Sequence, residues 1–172
     1  METKDTPNEY LLDVLQERAK EINCLYRIND ILNDEDLGLT EMLAKVASTI
    51  PEGFRYPDIC RSRVVHNDQS YESAGFVKSD ISDIAHIKVE DEVVGFVEAV
   101  YTSKVKPVEE GYFLSKESKL LRTIADRIGQ TVLYRQMKQT ASEWHDGLRG
   151  TEKTKPGNPE WKVITELLLK TD

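Results

Sequence analysis

A chain of 172 residues suits one domain with an extension, and its 39% hydrophobic and 31% charged residues supply one core and a well-solvated surface. The 23 basic residues against 31 acidic ones leave a net charge of -8, a field that repels phosphate backbones and anionic lipid, so neither nucleic acid nor membrane is an expected partner. No apolar run approaches the roughly 18 residues of a spanning helix, and Met1-Glu2-Thr3-Lys4-Asp5 lacks the basic and apolar regions of a signal peptide; the expected location is the cytoplasm.

The first element expected is a helix from Glu9 to Asn33. Leu12, Leu15, Ala19, Ile22, Tyr26 and Asn29 recur there at alternating steps of three and four, the spacing of a heptad seam. Leu25, Ile28, Ile31 and Leu32 widen the stripe toward its end, as where a helix leaves a narrow seam and lies on a globular core. The seam predicts a homodimer through the first and last long helices, with Leu12, Leu15, Ala19, Ile22 and Tyr26 at the interface; the alternative is that all of them pack on the chain's own sheet. A second helix follows through Leu39, Met42, Leu43, Val46, Ala47 and Ile50, and Pro51 and Gly53 end it.

From Pro57 the period changes to two. Cys60, Ser62 and Val64 are expected on one face of a strand over Cys60 to Val65, with Arg61 and Arg63 on the other, and Asn67 and Asp68 supply a turn. A weaker strand is expected over Tyr71 to Phe76. Stronger ones at Ile84 to Val89 and Val93 to Tyr101 form a hairpin across Glu90, Asp91 and Glu92. The last strand is apolar on both faces, which predicts a central position, and Gly95 marks a close approach by another backbone or a helix. Cys24 and Cys60 have no metal-ligand or C-x-x-C spacing and are expected as buried free thiols.

Ser115 is the expected N-cap of a long helix carrying Leu121, Ile124, Ala125, Ile128, Val132 and Leu133 and running to about Glu143. Gly147, Gly150, Pro156, Gly157 and Pro159 then predict a linker. Asn158 and Pro159 look like the N-cap and first residue of a final amphipathic helix bearing Trp161, Ile164, Leu167 and Leu168. The expected organisation is thus a domain over 1–140, a linker over 141–158 and a helix over 159–172 that leads into a further domain.

Helix, helix, antiparallel strands and long helix describe an α+β fold in which both terminal helices can lie on one face of the sheet. This order resembles the GAF family. Val94-Gly95-Phe96-Val97-Glu98-Ala99-Val100-Tyr101 is similar to the family's central strand, and Glu110-Gly111-Tyr112-Phe113-Leu114 running into Leu120 to Gly129 is similar to the start of its last helix. Leu25-Tyr26-Arg27-Ile28 resembles the first GAF helix of bacterial signalling proteins. The resemblance covers about Leu11 to Met137 and implies a sensory or regulatory module that binds a small molecule or partner and controls a downstream effector. One departure matters: only Val77 to Asp83 separate the weak strand from the next, whereas GAF domains that hold cyclic nucleotides or bilins have a long excursion there, so those ligands are not expected. The segment from Glu160 to Asp172 resembles the lead-in of GAF-bearing relatives of phosphoenolpyruvate synthase, which implies a phosphotransferase as effector. His145-Asp146-Gly147-Leu148 resembles instead the phosphoacceptor motif of one class of sensor histidine kinases, although Gly147, Gly150 and Pro156 oppose the helix in which that histidine belongs.

Catalytic residues, a metal and a cofactor are not expected. His66, His86 and His145 have no ligand spacing, and Glu90, Asp91 and Glu92, like Asp34, Glu35 and Asp36, suit solvated turns without the desolvation that acid or base work needs. Arg61 and Arg63 are candidates to meet an anion, or else pair with nearby acids. Tyr71, Phe76 and His86 are candidates to line a small pocket, or else form ordinary edge packing.

Overall fold

The computed structural model of the chain describes residues 7–107 and 111–151. The chain is an α+β protein, in the order α1 (Pro7–Asn33), α2 (Leu39–Thr49), a 3-10 turn (Ile50–Gly53), β1 (Cys60–His66), β2 (Gln69–Glu72), β3 (Ser82–Val89), β4 (Glu92–Tyr101) and α3 (Ser115–Thr151). Two units divide at 134/135. The first holds the sheet, α1, α2 and the start of α3; in the second, α3 continues with Gln139 Nε2 donating to Glu143 Oε1 at 3.1 Å. Among the described residues no helix is long and apolar enough to cross a membrane.

The four strands form one antiparallel sheet in the order β2-β1-β4-β3, which puts the strand that is apolar on both faces in the interior. Two two-residue turns make the hairpins. Asn67 and Asp68 both have positive φ (47° and 64°), as do Glu90 and Asp91 (48° and 69°), and this left-handed pair matches the twist of the flanking strands. Glu92 is therefore the first residue of β4 rather than part of the turn.

One set of alternate strand positions meets the helices. Cys60 and Val64 of β1, Ala85, Ile87 and Val89 of β3, and Val97, Ala99 and Tyr101 of β4 join Cys24, Ile28 and Leu32 of α1, Met42, Leu43, Val46 and Ala47 of α2, and Leu121, Ile124, Ala125, Ile128 and Val132 of α3 in one buried cluster. Ser62 keeps its place in that apolar layer because its hydroxyl donates to the Ala47 carbonyl at 2.5 Å, tying β1 to α2. Both thiols are free and buried, Cys24 under the 3-10 turn and Cys60 on the helix-facing side of β1.

Apart from shifts of one or two residues at strand ends and at the start of α1, three features differ from the sequence expectation. The strand expected over Tyr71 to Phe76 is Gln69–Glu72, because Ser73 turns the chain out of the ladder: its hydroxyl takes the Ser62 amide at 2.9 Å, the Phe76 amide donates to the Ser73 carbonyl, and Gly75 adopts φ +72°. Ser115 is the first residue of α3 and not its cap. The capping oxygen belongs to Glu117, which accepts from the Leu114 amide at 2.7 Å, the reach-back half of a capping box. Third, α3 does not stop near Glu143 but runs through Gly147 and Gly150 to Thr151, so the first part of the expected linker is helical. Gly147 and Gly150 cost the helix about 1 kcal/mol each and do not end it. The expected helix over 159–172 lies outside the described residues.

Candidate functional site

Two surfaces gather the residues singled out in the sequence: the sheet face turned away from the helices, and the outer face of α1.

On β1, Arg61 and Arg63 occupy the positions between the buried ones and so share the sheet face opposite the helices. Arg63 stands in register with Glu98 of β4 on one side and Glu72 of β2 on the other. Its Nε donates to Glu98 Oε2 at 2.5 Å, both side chains being largely withdrawn from water. The guanidinium also lies over the rings of Phe76 and Phe96, with centroids at 5.2 and 5.3 Å. Phe76 comes from the connection between β2 and β3, and Ser79 anchors that connection by donating to the Tyr101 carbonyl at 2.8 Å. Arg63 is thus neutralised by a carboxylate and covered by aromatic carbon, an arrangement that fills this part of the face with the chain's own groups. Arg61 spends Nη1 on the carbonyls of Asp58 and Cys60, at 3.0 and 2.6 Å.

The five candidate ligand residues divide between the two sides of the sheet. His86 is exposed on β3, in register with Phe96, and belongs with Arg61, Arg63 and Phe76 on the outer face. Tyr71 does not. It is in register with Val64, packs against the helix-side core, and its hydroxyl donates to Gln69 Oε1 at 2.8 Å. Phe96 and Glu98 complete the outer site and were not singled out by sequence; the available signal was an acid in the middle of an apolar run, placed to pair with one of two arginines on the neighbouring strand.

A second polar centre lies where β4 meets α3, and no local sequence pattern marks it. Glu117 is buried at the start of α3, and its carboxylate accepts from the Tyr101 hydroxyl, the Arg55 amide and the Leu114 amide, each at 2.7 Å. Tyr101 stacks on Phe113 with centroids 4.7 Å apart, and Phe54 meets both rings edge-on. Burial pushes the Tyr101 hydroxyl well above its ordinary pKa of 10, with the Glu117 charge and hydrogen bond adding to the shift. The hydroxyl remains a donor, suited to holding a carboxylate and not to acid or base work. Burial likewise raises the Cys24 thiol to about 12, aided by Glu52, and the Cys60 thiol beyond that, aided by Glu117, so neither is a thiolate nucleophile at neutral pH.

The outer face of α1 is different in kind. Cys24, Ile28 and Leu32 face the core while Leu12, Leu15, Ile22 and Tyr26 stand 59%, 58%, 50% and 67% exposed, with Leu11 beside them. Five large apolar side chains in a row on one helix exceed the scattered apolar exposure of an ordinary surface. On the flank of this stripe a groove of about 210 Å³ runs between α1 and α3, lined by Arg18, Glu21, Leu25, Lys116, Lys119, Leu120 and Thr123. A cleft of similar volume at the start of α3 is lined by Asp83, Ile84, Phe113, Ser115, Ser118 and Arg122, and is crossed by the Ser118 hydroxyl donating to Asp83 Oδ2.

No family model matches the chain, and no curated protein matches it.

Proposed function

We propose that the chain is a non-catalytic, GAF-like regulatory module that self-associates through the outer face of α1 and passes a signal to an effector. The observation that carries this reading is the exposed stripe of Leu12, Leu15, Ile22 and Tyr26 at heptad spacing on a helix whose opposite face is already buried. The order of two helices, antiparallel strands and a long helix supports the GAF-like part. The raised pKa values of the two buried thiols and the Arg63–Glu98 pairing favour a binding module over an enzyme, since among the described residues neither cysteine is poised as a nucleophile and Glu98, on the outer sheet face, is held by an arginine. With its arginine neutralised and covered, that face also supports protein partnership better than capture of a small anion. The test is light scattering of the full chain at micromolar concentration, alone and as Leu15→Lys. The wild type is expected to be a dimer and the variant a monomer with unchanged helical content; a monomeric wild type overturns the reading.

A second reading gains from the length of α3. The helix runs through position 145 to Thr151, which supplies the helical backbone a phosphoacceptor histidine of a sensor kinase needs. Incubation with a kinase core and labelled ATP, with His145→Gln as control, decides it: label lost in the variant supports this reading, and an unlabelled wild type removes it.

A further inference from the structure

The stripe on α1 changes character along its length. Leu11, Leu12 and Leu15 are apolar and exposed at one end, whereas at the other the stripe position Asn29 accepts a 2.6 Å bond through Oδ1 from Arg127 Nη1 of α3. Beside Asn29 stands Asp30, exposed and in no ion pair among the described residues. α1 and α3 run in the same direction, because Arg18 and Leu25 share a groove with Lys116 to Thr123 and Asn29 then meets Arg127. In heptad terms Arg18 and Leu25 flank the stripe on one side and Asp30 flanks it on the other, so α3 lies on the side away from Asp30.

We propose that the stripe takes a second copy of this chain in parallel, with Asp30 of each copy paired to Arg127 of the other. This rests on the self-association proposed above and adds its direction. A two-fold axis along the stripe brings the second copy's α3 to the Asp30 flank of the first, and places its Arg127 at the level of Asn29 and Asp30. Like then meets like along the whole stripe, and at its polar end the Asp30 of each copy meets an arginine of the other. An antiparallel copy sets a positions against d positions instead. Full overlap puts Leu12 opposite Asn29 and Leu15 opposite Tyr26, which desolvates Asn29, Asp30 and Arg127 against leucines that offer no hydrogen bond.

Light scattering of the full wild-type chain comes first, since a monomer removes the self-association and this orientation together. Mild oxidation of Leu15→Cys and of Tyr26→Cys then reads direction, undisturbed by the native thiols, which are buried. In the parallel dimer each variant is expected to cross-link with itself, and a mixture of the two gives no mixed species. A dimer in which neither variant cross-links alone but the mixture does overturns the orientation and leaves self-association standing. Asp30→Arg is expected to weaken the dimer about fivefold, and Asp30→Arg with Arg127→Asp to recover it; no recovery overturns the pairing.

Discussion

The Tyr101 hydroxyl donates a 2.7 Å hydrogen bond to Glu117 Oε1, joining the last residue of β4 to the first turn of α3 across the buried aromatic cluster of Phe54 and Phe113. Two backbone amides, of Arg55 and Leu114, complete the carboxylate's partners. A buried charge is tolerated only when so satisfied. Glu117→Gln replaces one acceptor oxygen with an amide donor facing another donor, and is expected to cost about 2–3 kcal/mol in urea unfolding. Tyr101→Phe removes one donor and leaves the other two, for about 1–2 kcal/mol. Equal losses in the two variants contradict this account.

Gly95 lies beside the register shift in the β3–β4 pairing, where a Cβ would sit 1.9 Å from the Val65 carbonyl oxygen. Gly129 of α3 meets the Lys88 carbonyl oxygen almost as closely, at 2.2 Å. Backbone oxygens inside a sheet cannot retreat as a side-chain tip can, so the strands must part or the helix must lift. Gly95→Ala and Gly129→Ala are each expected to destabilise the chain by about 3 kcal/mol or more, read as a lowered denaturation midpoint. For Gly129 the result is informative, since alanine in an uncrowded helix interior raises stability instead.

Thiol chemistry gives a third test. With Cys24 raised to about 12 and Cys60 further, the folded chain is expected to leave both thiols unmodified by a maleimide at pH 8, and the denatured chain to react at both. Rapid labelling of the native protein at either position contradicts the burial of that residue.

Burial lowers the His66 pKa below its ordinary 6.5, so the folded chain holds that proton less readily than the unfolded chain. The stability tied to His66 is therefore complete above pH 6.5 and is lost as the pH falls through the folded value. Comparing denaturation midpoints at pH 7.5 and pH 5.5, the wild type is expected to lose more than His66→Gln. An identical drop in both assigns the pH dependence to other groups.

The sequence carried the helices and the interior strand because their signals are local: the i, i+3, i+4 spacing of Met42, Leu43 and Val46, and the alternation of Cys60, Ser62 and Val64, follow from one element's own geometry. It did not carry what depends on distant partners. Ser115 has the chemistry of a cap, yet Glu117, held by Tyr101 and Arg55 from elsewhere in the chain, performs that task. Tyr71 fell on the other side of the sheet because Asn67 and Asp68 form a tight turn, which sets β2 in a register that pairs Tyr71 with Val64. The heptad spacing on α1 was visible from the start, whereas the exposure that gives it meaning required knowing which face Cys24, Ile28 and Leu32 bury.

Arg63 and Glu98 decide whether the outer sheet face is a receptor or a filled surface. If the pair is structural, removing one partner leaves the other charge stranded in a site where Glu98 keeps only 8% of its side-chain exposure. Arg63→Met is then expected to cost about 3 kcal/mol, and Glu98→Leu a similar amount, in denaturant unfolding. The double variant replaces both charges with apolar groups that can pack against Phe76 and Phe96, so most of the loss is expected to return, giving a coupling well beyond the additive range. A receptor arginine behaves otherwise. Its replacement leaves stability nearly unchanged and abolishes binding of an anion such as phosphate, and the double variant then behaves as the sum of the singles. A cycle of the four proteins, read by urea midpoint and by phosphate titration, separates the two, and additivity with measurable phosphate binding by the wild type would falsify the structural assignment.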